Sequence, residues 1–140
     1  MVDGSLVVKR LESVGELVTH ASGAVLFDQG QPGVGAYVLK SGSTRLSLLD
    51  HQGTPVWSRI VKPGSILGLP STLGHTPYSL RATTVGPVEL VFVRPPKLEE
   101  LMRQDAAIGT ALLKVVSEEL VDLRRKLSLL RLQIPNLSHS

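Results

Sequence analysis

The chain has 140 residues, with 15 Lys and Arg, 12 Asp and Glu, 4 His and no Cys; that length suits one domain with a substantial core and leaves little room for a second. The absence of cysteine excludes disulfides, thiolate catalysis, cysteine-held zinc and ordinary iron–sulfur ligation. A net charge of +3 is too mild to point to nucleic acid or to an anionic ligand, and 42% hydrophobic with 19% charged residues describes a folded chain, not a disordered one.

Met1-Val2-Asp3-Gly4-Ser5 has no basic stretch leading into an apolar run, and nowhere do 18 apolar residues follow one another. Neither a targeting segment nor a membrane span is expected, and the default compartment is the cytoplasm. From about residue 6 to 19, Val7, Leu11, Val14 and Val18 fall at helical spacing, which predicts a short amphipathic helix weakened by Gly15.

Between residues 22 and 95, where most of the glycines and prolines lie, short β-type runs follow: Ala24–Asp28, Ala36–Leu39, Thr44–Leu49, Pro55–Val61, Leu80–Val85 and Val88–Val93. Short strands with turn signals between them predict a sandwich or barrel. Asp50-His51-Gln52-Gly53 reads as a hairpin turn, and Gly30-Gln31-Pro32-Gly33 as another.

Beyond Pro96 the pattern becomes helical, with a short helix over Lys97–Arg103 and a long one over residues 106–132 that stops before Pro135. The expected class is α+β, mainly β: one effector unit over residues 1–134, with a roll at 22–95, and a tail at 135–140. On the long helix Leu113, Val116, Leu120, Leu123, Leu127, Leu130 and Ile134 step by three and four, as the a and d positions of a heptad do. That predicts a homodimer seam. The competing expectation is that the stripe packs on its own β body, because Leu112, Val115 and Val121 widen the apolar face.

Gly30 to Gly42, read as Gly-Gln-Pro-Gly-Val-Gly-Ala-Tyr-Val-Leu-Lys-Ser-Gly, resembles the first signature of the Crp/Fnr-type cyclic nucleotide-binding domain. Lys62-Pro63-Gly64-Ser65-Ile66-Leu67-Gly68 resembles the second, and the long helix matches the family's dimerisation helix. The resemblance spans roughly residues 6–134. It implies a double-stranded β-helix jelly roll whose cassette cradles a phosphate against the N–H groups of a short helix. Mapped onto this sequence, the cassette comprises Gly68, Leu69, Ser71, Thr72, His75, Ser79, Arg81 and Ala82.

The sequence departs from the family pattern within that cassette. Nucleotide-binding members follow the glycine at the Gly68 position with a Glu that holds the ribose; here Leu69 and Pro70 stand there. The phosphate-binding Arg maps onto Tyr78-Ser79-Leu80, so Arg81 serves only if the strand shifts register. From Pro63 to Val93 only Arg81 and Glu89 are charged, whereas burying a phosphate demands a counter-charge. The expectation is therefore an effector domain with a degenerate nucleotide site, acting through a ligand or a protein partner. The alternatives are a genuine cAMP- or cGMP-binding domain using Arg81, and a ligand-free interaction module. No cofactor is required, although cAMP or another small anion remains a candidate ligand.

His20, His51, His75 and His139 are scattered without ligand spacing, so no metal site is expected. No strained Gly-x-Ser-x-Gly elbow occurs, and no enzyme is expected. Only six residues follow residue 134, where Crp/Fnr regulators continue into a helix-turn-helix, so this chain is not expected to bind DNA directly.

Overall fold

The fold, taken from a computed structural model, describes residues 4–133; the side chains at 4, 5, 123, 126, 127 and 129–133 lie outside the described residues. Four helices, α1 (Gly4–Val14), α2 (Leu69–Gly74), α3 (Pro95–Gln104) and α4 (Ala106–Gln133), accompany six strands. These are β1 (Glu16–His20), β2 (Val25–Phe27), β3 (Ala36–Leu49), β4 (Pro55–Val61), β5 (Ile66–Leu67) and β6 (Arg81–Val93). The strands form one antiparallel sheet in the order β1-β6-β3-β4, with β2 added to β6 and β5 to β3. This is the α+β roll with C-terminal helices that the sequence pattern predicts.

Alternation along β3 and β6 creates two cores. Ala36, Val38, Val91 and Val93 face the helices, where they bury Val7, Leu11, Leu98, Leu101, Ile108 and Leu112. Leu39, Leu46, Ala82, Val88 and Leu90 point into the roll with Phe27, Val61, Leu67 and Tyr78. Period-two patterning thus divides one pair of strands between a helix layer and an interior.

Three expectations are corrected. The N-terminal helix stops at Val14, and Val18 belongs to β1, opposite Leu90. Gly15 is the junction: a Cβ there would run into Val91 and lie 2.8 Å from the Phe92 carbonyl oxygen, so only glycine lets the chain turn against β6. Secondly, the paired runs around Gly42 and around Gly86-Pro87 are each one continuous strand. Gly42, at φ 86°, accommodates register shifts between Leu39 and Ser43, and its absent Cβ leaves room for the Pro87 carbonyl. It makes a bulge where the sequence reads as a turn. Thirdly, Ile66–Leu67 forms a short strand against Tyr37 and Val38 that no periodicity announces.

The Asp50 turn forms as expected. Its carboxylate accepts from the N–H groups of Gln52 and Thr54, both at 2.9 Å, and Gly53 takes φ 82°. The last helix covers 28 residues, about 42 Å at 1.5 Å per residue. Ile108 and Leu112 are buried in the helix-layer core, while Val115 and Val116 pack on its edge. Leu113, Leu120 and Val121 are 57%, 49% and 53% exposed. Leu123, Leu127 and Leu130 fall within the helix but their side chains, and all of Ile134, lie outside the described residues. Among the described residues no helix is long and apolar enough to cross a membrane.

Candidate functional site

The cavity of interest lies where the roll interior meets α4. It encloses about 130 Å³ and is lined from the roll by Phe27, Leu46, Val61, Leu67, Tyr78 and Leu80. Gly68, Pro70, Ser71 and Ser79 line it from the cassette, and Glu119, Leu120 and Asp122 from α4. Arg59 reaches it because strand alternation sets it opposite Leu46, on the inner face of the edge strand β4. Its guanidinium lies 5.8 Å from the Trp57 ring centre and 3.7 Å from the Asp122 carboxylate. That ion pair ties β4 to α4 across the mouth of the cavity.

Tyr78 fills the middle of the site. Its ring stacks on Phe27 at 4.1 Å, and the row continues through Tyr37 to Phe92. Burial pushes the Tyr37 phenol above its ordinary pKa, with the neighbouring Tyr78 phenol adding to the effect. The Tyr78 hydroxyl donates to the Gly35 carbonyl at 2.7 Å and accepts from the N–H groups of Val34 and Gly35, each at 3.2 Å. It pins the glycine-rich turn before β3 onto the cassette. Gly68 takes φ 74°, and a Cβ on it would lie 2.9 Å from the Tyr78 ring, so glycine is needed there twice over.

The residues singled out in the sequence take different places. Gly68, Ser71 and Ser79 line the cavity. Leu69 is fully buried on the helix side, in the core of Val7 and Leu112. The Thr72 hydroxyl donates to the Gly68 carbonyl at 2.8 Å, and the Ser71 hydroxyl to the Pro77 carbonyl at 2.9 Å. His75 caps α2 in the left-handed region at φ 53° and points outward, 3.3 Å from Glu99 on α3. Ala82 is buried under the roll.

Arg81, one residue earlier on β6, faces the other side of the sheet from Ala82. It forms a bidentate pair with Asp28 at 2.8 and 3.1 Å. The Arg81 hydrogen bond holds the Asp28 carboxyl below its ordinary value of 3.8, helped by the Gln29 N–H. A lowered folded-state value means that the folded carboxylate takes up a proton less readily than the unfolded one. The stabilisation is therefore present above the ordinary carboxylate range and is lost as pH falls through the depressed value. Both side chains are about a third exposed, so the contribution is modest, below about 1 kcal/mol. Urea midpoints of Arg81→Ala and the wild-type chain should differ at pH 7 and converge as pH falls through the depressed Asp28 value; a difference that persists below it would separate Arg81 from Asp28.

Sequence reasoning missed Phe27, Leu46, Arg59 and Val61 as cavity residues, and all three from α4. The period of β3 and β4 carried the signal for Leu46 and Val61. Arg59 shares the parity of Val61, but its pairing with Asp122 depends on where α4 crosses β4.

A family model described as the cyclic nucleotide-binding domain matches residues 17–105. Among solved structures the chain is similar to a candidate cyclic nucleotide binding protein from Ruegeria pomeroyi, with 25% identity and a TM-score of 0.64 over 89% of this chain and 55% of that one. It is similar to the N-terminal domain of a transcriptional regulator from Streptomyces coelicolor, with 25% identity and a TM-score of 0.66 over 84% of each chain. It shares its fold with the Thermus thermophilus catabolite activator protein, at 24% identity and a TM-score of 0.75 over 89% of this chain and 59% of that one. The chain spans a little over half the length of the first and third of these proteins.

Proposed function

The chain belongs to the cyclic nucleotide-binding domain family, and from that premise we propose that it is a sensor domain of Crp/Fnr type with a degenerate nucleotide site, pairing with a second copy through α4. The observation that carries this reading is the disposition of the two residues a nucleotide would need. Leu69 stands where nucleotide-binding members place a ribose-holding Glu, and it is turned into the helix-layer core. Arg81 is held outside the cavity by Asp28. The walls that remain are largely apolar, and Arg59, the cation among the lining residues, is paired with Asp122, so a buried cyclic phosphate would have to break that pair to gain a counter-charge.

Signalling in this reading passes through α4. Leu120 lines the cavity and is also half-exposed on the heptad stripe, so one side chain belongs to both surfaces. A ligand that moves Leu120 or parts Arg59 from Asp122 shifts the helix, and with it the geometry of the pair. The loose Arg59–Asp122 contact, more than a third exposed on both sides, opposes that movement only weakly.

The test is the oligomeric state. The wild-type chain should sediment at twice the mass of one chain at micromolar concentration, and Leu120→Lys should sediment as one chain with unchanged circular dichroism. An unaltered mass in the variant removes Leu120 from the seam, and a wild-type monomer removes the dimer altogether.

A further inference from the structure

We propose that the cavity between the roll and α4 takes an uncharged, ring-sized organic molecule of the benzene or phenol class. This deepens the reading of the cavity as an effector site and rests on it. Three observations lead to it.

Size comes first. The cavity holds about 130 Å³, close to the ~150 Å³ of an engineered apolar cavity that binds benzene. Sites that bury larger ligands run from roughly 300 Å³ upwards. A single ring fits, and a nucleotide, with base, sugar and phosphate, does not.

Shape comes next. Phe27 and Tyr78 present stacked rings, 4.1 Å apart and within 20° of parallel, as part of the wall. Leu46, Leu80 and Leu120 supply methyl groups around them. A planar occupant matches aromatic walls better than a polar one does, which favours an aromatic ligand.

Charge decides the rest. The charged lining residues are Arg59, Glu119 and Asp122. Both signs therefore face the same opening. A carboxylate entering towards Arg59 meets Glu119 and Asp122, and an ammonium entering towards those acids meets Arg59. Neither charge on a ligand gains what its desolvation costs, whereas an uncharged ring leaves the Arg59–Asp122 pair in place. A single hydroxyl can be met at the edge by Ser79, which is exposed there.

The experiment uses the whole chain with methyl-labelled Leu, titrated in parallel with toluene, phenol, benzoate, benzylammonium and cAMP. Expected are saturable ring-current shifts at Leu46, Leu80 and Leu120 with toluene and phenol. A rise of about 3 °C or more in the melting temperature should accompany them at concentrations well above Kd. Benzoate and benzylammonium should bind at least tenfold more weakly, and cAMP should leave these methyls unmoved. Leu80→Phe, or Leu46→Phe should that variant not fold, should abolish the shifts by filling the space. Silence with both neutral rings overturns the inference, as does equal binding of either charged ring. Shifts produced by cAMP also overturn it while leaving the domain an effector; in every case the sedimentation of the Leu120→Lys variant judges the dimeric sensor separately.

Discussion

Replacing Tyr78 by Ala should lower the free energy of unfolding by about 3 to 5 kcal/mol, the cost of emptying a buried aromatic site. Tyr78 is 3% exposed, stacks on Phe27 and closes two loops with one hydroxyl. The subtler variant separates those roles. Tyr78→Phe keeps the stack but leaves the Gly35 carbonyl and two N–H groups without their partner, at about 1 to 3 kcal/mol. Urea unfolding followed by circular dichroism measures both. If Tyr78→Phe matches the wild type, the hydroxyl does not hold the glycine-rich turn, and the packing of the ring alone explains the site.

Gly35→Ala is the second large effect. A methyl group at this buried position would fall within the edge of the Phe92 ring, which itself lies 4.9 Å from the Tyr37 ring and 5.3 Å from the Arg94 guanidinium. Over-packing of this kind costs about 1 to 3 kcal/mol and displaces a β6 residue that pairs with both β1 and β3. The double variant Gly35→Ala with Phe92→Leu should recover part of the loss, since the added methyl then occupies space the ring has left. Simple additivity of the two single costs would show that the strain lies in the backbone and not against Phe92.

These two residues illustrate how far the sequence can be read. The glycine signature around residue 35 was legible as a motif, and so were the α+β order, the Asp50 hairpin and the boundaries of the last two helices. The physical reason for the motif was not, because Phe92 lies 57 positions away and meets Gly35 only after β3 and β6 pair. The end of α1 failed for a related reason. Glu16–His20 is too short for its alternation to be told from a helical step between Val14 and Val18, and the pairing with residues 88–92 decides the matter.

The candidate site divides along the same line. Gly68, Ser71 and Ser79 are contiguous enough to be found by position. The cavity walls come from strands that meet across the sheet, and from a helix whose crossing point no local pattern specifies. Strand parity placed Arg81 on one side or the other, and the sequence could pose that question without answering it. Pairing with Ser47 in β3 and capture by Asp28 answer it.

The division of β3 and β6 between two cores has a consequence for how the protein is made. Val7 and Leu11 find their burial beside Ile108 and Leu112, so the first helix and the last share one hydrophobic layer. During synthesis at roughly 5 to 20 residues per second, the N-terminal helix emerges with its apolar stripe exposed and waits several seconds for about a hundred further residues to follow. Neither core can be completed by a shorter chain, because β6 serves both. The apolar stripe of the first helix therefore finds its native burial only once synthesis has passed Leu112.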